Sequence, residues 1–213
     1  VRDSLAGEPA RRIATSQALN LSAEGALLTG QGTENHAVHF TGSSYVHASA
    51  DPDVYEFAGA VSIEFWIRPT KGGEATQCFI AKGEYTRTDT NYYVVYFQQP
   101  SDKFGRLRFG IASGHIDQTS KLAENEFTHV VVTFDPEQTG DNTRMYINGR
   151  LDVAKRIDGK PRSTEGTPLS IGALYYEPPT LPRIQFFVGD LDEVAFYSHA
   201  VPEHRVAAHF ARQ

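Results

Sequence analysis

Asp190, Asp192 and Glu193 form the densest acidic group in the chain, in the run Gly189-Asp190-Leu191-Asp192-Glu193-Val194. On an extended strand Asp190 and Asp192 share a face about 6–7 Å apart. That separation is near the paired carboxyls of a retaining glycosidase, about 5–5.5 Å. The same oxygens are hard donors of the kind calcium takes. A third reading is a hydrogen-bonded or solvated carboxylate at a strand end. Residue type alone leaves all three open.

A second group alternates with apolar residues. In Val61-Ser62-Ile63-Glu64-Phe65-Trp66-Ile67-Arg68, the residues Ser62, Glu64, Trp66 and Arg68 share one face. Arg106 and Arg108 alternate in the same way with Leu107, Phe109 and Ile111. Such a surface suits a polar ligand: a sugar stacks its apolar face on an aromatic ring and hydrogen-bonds its hydroxyls to charged groups. The competing reading is cross-strand ion pairs around a partly buried tryptophan.

Loops add a third group. Tyr175 and Tyr176 precede Pro178, Pro179 and Pro182, a stiff aromatic connection of the kind that recognises ligands at small entropic cost. Packing of the same tyrosines back onto the domain is the alternative. The polar stretch Gly83–Asn91 carries Arg87, and His115 and Asp117 follow Gly114 at an expected rim. Glu64, Trp66, Arg68, Arg87, Arg108, His115, Tyr175 and Tyr176 are therefore the candidate ligand-binding residues. No His-Glu-x-x-His spacing, phosphate loop or Gly-x-Ser-x-Gly run occurs. Cys78 is the only cysteine, so the chain holds no internal disulfide and no cysteine-rich metal site. Beside Phe79 and Ile80 it reads as a small buried hydrophobe.

These residues must be positioned by strands. Alternating apolar segments bounded by turn residues run through Ala37–Phe40, Ser44–His47, Val61–Arg68, Thr76–Lys82, Tyr92–Gln98, Arg106–Ala112, Thr128–Phe134, Thr143–Ile147, Ser170–Ala173 and Phe186–Tyr197. Asn148-Gly149 marks a two-residue hairpin from Thr143–Ile147 into Arg150–Val153. Pro202 with Glu203 opens the one expected helix, Pro202–Phe210. Many short strands with one short helix predict an all-β, two-sheet sandwich or barrel.

The chain has 213 residues, 40% of them hydrophobic and 22% charged, enough to bury the core of one large domain. Residues 1–20 read as an N-terminal linker or extension and 21–213 as the domain. The net charge of −6 argues against nucleic acid, which needs clustered cations. No apolar run reaches the ~18 residues of a spanning helix, so no membrane insertion is expected. No signal peptide is visible at Val1.

Five segments in order resemble the laminin-G-like jelly roll of the concanavalin-A-like lectin/glucanase superfamily. They are Ala37-Val38-His39-Phe40-Thr41-Gly42-Ser43-Ser44-Tyr45-Val46, the strand Val61–Pro69 with its Trp66-Ile67-Arg68-Pro69 ending, Phe127–Phe134, Tyr146-Ile147-Asn148-Gly149, and the closing Phe187–Tyr197 with Asp192-Glu193-Val194. The resemblance implies a two-sheet antiparallel jelly roll with a short C-terminal helix. It implies a non-catalytic, extracellular, lectin-like module of a larger secreted protein, holding a glycan or polysaccharide. It also implies a structural calcium on Asp192, with Glu24 as candidate partner and backbone carbonyls near Thr41 and Gly42. Thr41 stands where the family carries Asp or Asn. Two rivals remain: a protein-interaction or spacer domain, and a jelly-roll glycosidase or polysaccharide lyase. The family's glucanases use a Glu-x-Asp-x-(x)-Glu array, whereas this chain has Asp190 at the first position and Ala195 or Phe196 at the last.

Overall fold

A computed structural model describes residues 11–12, 21–24, 27–28, 37–48, 55–83, 91–97, 104–164, 167, 169–174 and 184–212. Among them, two antiparallel sheets pack face to face. The larger runs β13 (Arg150–Lys155), β12 (Thr143–Ile147), β11 (Thr128–Phe134), β6 (Val61–Pro69), β15 (Val188–Tyr197), β4 (Val38–Thr41) and β3 (Leu27–Leu28). Its eighth strand, β1 (Arg11–Arg12), also pairs with β15. The smaller runs β10 (Gly114–Asp117), β9 (Leu107–Ile111), β8 (Tyr92–Phe97), β7 (Thr76–Lys82), β14 (Leu169–Ile171), β5 (Tyr45–Ala48) and β2 (Leu21–Glu24). The helix α1 (Glu203–Phe210) follows β15. This is the expected jelly-roll sandwich with one C-terminal helix. Four short strands escape the periodicity: β2, β3 and β10, which are too brief to alternate, and β1, which lies within the segment expected to be a linker or extension.

Alternation sets the layers. Val61, Ile63, Phe65 and Ile67 of β6 are wholly buried and meet Phe79, Ile80, Val94, Tyr96, Leu107 and Phe109 in one core. Phe65 meets Phe79 edge-on with ring centroids 5.1 Å apart. Fully burying one such side chain is worth about 1.5–3 kcal/mol. Asn148 and Gly149, at φ +49° and +75°, make the tight turn that the sequence predicts.

β15 departs from strict alternation. Leu191 stands opposite Ile67 and Phe196 opposite Ile63, with a bulge between Asp192 and Ala195. Glu193 takes the left-handed conformation there, at φ +48°. The extra residue switches parity, so Leu191 before the bulge and Val194 and Phe196 after it all reach the core. Asp190, Asp192, Ala195 and Tyr197 consequently face outward beside Arg68, Trp66, Glu64 and Ser62.

Several polar groups trapped by this packing are paired. Lys82 is wholly buried and donates from Nζ to the Thr167 carbonyl, with Glu56 Oε2 at 3.8 Å. On the side where β10 and β13 end the two sheets, Asp152 accepts hydrogen bonds from the Thr119 and Ser120 amides at 2.6 and 3.2 Å, tying one layer to the other. Cys78 is a free, wholly buried cysteine whose thiol pKa is pushed up to about 12 by burial.

Gly189 lies against the backbone of β6. At φ +144°, a Cβ on it would sit 2.4 Å from the Arg68 carbonyl oxygen. Gly189→Ala is therefore expected to lower stability by about 2 kcal/mol or more, read as a drop in the urea midpoint at unchanged slope.

Candidate functional site

The two sheets turn very different outer faces to the outside. On the larger sheet, Glu64 is the centre of a buried polar cluster. Its Oε1 meets His129 Nε2 at 2.8 Å, and Tyr197 donates its hydroxyl to Oε2 at 2.6 Å. His209 Nδ1, from α1, lies 3.1 and 3.0 Å from the two oxygens. The register explains the convergence: Glu64 sits beside Val131 on β11 and Ala195 on β15, and His129 and Tyr197 lie two residues further along those strands, on the same face. Burial alone would raise the Glu64 pKa. Hydrogen bonds from His129, His209 and Tyr197 outweigh it and hold the carboxyl well below the usual carboxylate range.

Helix α1 covers this face. Val206 packs with Val131, Tyr146, Ala195, Tyr197 and Val201 in a second apolar cluster. Phe210 lies over Trp66 and His129, with ring centroids 6.0 and 5.9 Å apart. This corrects the expectation that Glu64 and Trp66 are the open floor of a ligand site. The β6 alternation does turn them away from the core, but the helix then seats on them. Glu64 is only 8% exposed, and the Trp66 indole nitrogen is buried.

Arg68 lies beyond the end of α1 and is engaged differently. Its Nε donates to Asp190 Oδ2 at 2.8 Å, and its guanidinium lies 4.6 Å above the Phe127 ring. Asp190 Oδ1 meets His39 Nδ1 at 3.0 Å. The buried Asp190 thus spends both oxygens on side chains of its own sheet, an arrangement suited to holding strands together. Asp192 accepts a hydrogen bond at Oδ1 from the next amide, that of Glu193, at 2.7 Å.

The expected calcium donors do not converge. Thr41 stands opposite Val188, four residues from Asp192 along β15, which is about 13 Å at the rise of a strand. Glu24 lies on β2 opposite Tyr45, in the other sheet, and sheets stack about 10 Å apart. Asp192 and Thr41 therefore lie too far apart along the sheet to share one ion, and among the described residues no three His, Cys, Asp or Glu side chains gather to hold one.

The smaller sheet presents the other outer face. Ala81, Tyr93, Gly110 and His115 lie side by side across β7, β8, β9 and β10, and Cys78, Val95, Arg108 and Asp117 form the next row. Phe97 pairs with Arg106 at the end, its amide donating to the Arg106 carbonyl at 3.1 Å. Tyr93 and Phe97 are half-buried on an apolar bed of Cys78, Ala81, Val95 and Leu174. Gly110 makes room for Tyr93, since a Cβ there would lie 2.1 Å from the tyrosine ring.

The Arg108 charge on this face is fixed. Arg108 donates from Nε and Nη2 to the two oxygens of Asp117 at 2.6 and 3.0 Å, with its guanidinium 5.2 Å from the Phe97 ring centre. Burial raises the Tyr93 pKa, so the phenol keeps its donor hydrogen. Of the expected ligand residues, Arg108 and His115 lie on this surface, His115 on the edge strand β10. Arg87, Tyr175 and Tyr176 fall outside the described residues. Tyr93 and Phe97 are candidates on this surface that periodicity misses, because Tyr92–Phe97 is apolar or aromatic on both faces.

Glu64 yields a pH prediction. A carboxyl whose folded pKa lies below its unfolded value stabilises the fold fully above the ordinary 4.5, and that contribution is lost as pH falls from there toward the folded value. Removing the charge strands its donors. Glu64→Gln should cost about 3 kcal/mol near neutral pH, and the variant should lose less stability than the wild type between pH 6 and pH 3. Urea titrations of both proteins at the two pH values measure this.

Comparison with known proteins agrees with this architecture. Domain 4 of AbnA, a GH43 extracellular arabinanase from Geobacillus stearothermophilus solved in complex with arabinotriose, superposes with a TM-score of 0.60 at 17% identity, over 88% of this chain and 86% of that one. A Bacteroides ovatus protein provisionally described as carbohydrate-binding gives 0.61 at 19% identity, over 81% of this chain and 46% of that one. Botulinum neurotoxin type C, whose cell entry depends on two ganglioside molecules, gives 0.61 at 13% identity, over 97% and 47%. The chain spans about half the length of these last two. No curated protein sequence matches it. The family model for the concanavalin A-like lectin/glucanases superfamily named Laminin_G_3 matches residues 40–207, and with the jelly-roll topology in place the chain belongs to that family.

Proposed function

We propose that this domain is a non-catalytic glycan-binding module that holds its ligand on the outer face of the smaller sheet. The observation that carries this reading is the alignment of Tyr93 and Phe97 with the Arg108–Asp117 pair on the one sheet face that α1 does not cover. Two rings fixed on a sheet offer stacking surfaces at small entropic cost. The Tyr93 hydroxyl, the Arg108 guanidinium, the Asp117 carboxylate and His115 supply donors and acceptors for sugar hydroxyls. The sequence places two further candidate groups in the connections of this sheet: Arg87 between β7 and β8, and Tyr175 and Tyr176 after β14. A glycan-bound neighbour and a ganglioside-dependent one support the same ligand class. The extracellular arabinanase among the neighbours supports a place outside the cell, within a larger secreted protein.

The rival readings meet specific observations. A glycosidase needs a free pair of carboxyls, and Asp190 is held by His39 and Arg68. A spacer needs no row of half-buried aromatics on a sheet face.

Affinity electrophoresis against a panel of polysaccharides tests the proposal. The wild type should be retarded by at least one glycan. Tyr93→Ala and Phe97→Ala should each weaken that binding about tenfold, the scale of a lost stacking contact, while Trp66→Phe leaves it unchanged. Retardation by no glycan, or loss confined to Trp66→Phe, removes the reading. Sugar release by the wild type would favour the hydrolase instead.

A further inference from the structure

We infer that the ligand of this face carries carboxylate groups, that is, a uronic-acid glycan, and that Arg106 is the residue that recognises them. This rests on the glycan-binding reading above and names its substrate class. The argument begins with charge. Arg108 is neutralised by the two-point contact with Asp117. Among the described residues the adjacent Arg106 has no such partner. None of the described carboxylates lies within ion-pair distance of its guanidinium, and its buried Nε makes no hydrogen bond.

Position completes the argument. Leu107, Phe109 and Ile111 enter the core, so alternation puts Arg106 on the outer face with Arg108. The backbone bond from Phe97 sets Arg106 beside that aromatic ring. Burial of Nε holds the guanidinium in place, and its outer nitrogens are the ones an incoming acceptor could reach. A carboxylate matches the planar fork with two parallel charge-assisted hydrogen bonds. The sugar bearing that carboxylate would place its ring over Phe97. A neutral sugar could stack on Phe97 equally well but would leave the Arg106 charge uncompensated.

The test compares polygalacturonate, the same polymer with its carboxyls reduced to alcohols, neutral arabinan and dextran sulfate, by calorimetry and affinity electrophoresis. Polygalacturonate should bind best, weaken as salt rises, and lose at least tenfold in affinity on carboxyl reduction. Arg106→Gln should reduce polygalacturonate binding about tenfold and leave binding to the carboxyl-reduced polymer unchanged. Arg106→Lys, which keeps the charge without the fork, should fall between. Melting curves establish that the variants are folded.

Equal or tighter binding of the reduced polymer or arabinan would overturn the carboxylate inference and leave the glycan-binding module standing. So would wild-type-like binding by Arg106→Gln. Preference for dextran sulfate over polygalacturonate would assign the site to sulfate instead. Binding to none of the polymers would overturn both readings.

Discussion

Everything in this domain follows from which face of β6 is dry. Val61, Ile63, Phe65 and Ile67 are wholly buried between the sheets, and a strand that commits one parity to the core commits the other to the outside. Ser62, Glu64, Trp66 and Arg68 are the consequence. A carboxylate and an indole on a nearly flat surface need cover or solvent, and here they receive cover. Helix α1 brings His209 to Glu64 and Phe210 to Trp66. The larger sheet is thereby closed over its middle, which is why the proposed ligand face is that of the smaller one.

The Glu64 cluster shows how a site that looks functional in sequence becomes structural in three dimensions. A buried carboxylate among two histidines and a tyrosine resembles acid–base machinery. Its oxygens, however, are saturated by donors from β11, β15 and α1. Such saturation stabilises the ion and removes its capacity to accept a substrate proton. The Asp190 cluster repeats the pattern with Arg68 and His39. Carboxylates on this sheet hold its elements in place.

Much of the fold was legible because its signals are local. The β6 alternation, the Asn148-Gly149 turn and Pro202 before α1 each announce an element within a few residues. The candidate site was legible only in part. Arg108 and His115 stand out as polar residues in an apolar strand or beside a turn. Tyr93 and Phe97 do not, because every residue from Tyr92 to Phe97 is apolar or aromatic and period two cannot tell core from surface. Their orientation is decided by pairing with β9, where Gly110 receives the Tyr93 ring. The β15 bulge was equally hidden, since a parity switch leaves no mark in composition. Cover by α1 was invisible for another reason: it joins residues more than a hundred positions apart.

Cys78 lies under the same sheet surface, wholly buried, with a thiol that remains protonated far above neutral pH. Thiolate is the form that reacts with alkylating and oxidising reagents, so this sulfur is protected twice, by exclusion and by protonation. Its modification must wait for the side chains packed over it, Leu174 and Ile184 among them, to move away. The single thiol is therefore a built-in clock for the uncovering of the smaller sheet, distinguishing breathing of that layer from melting of α1 on the opposite side.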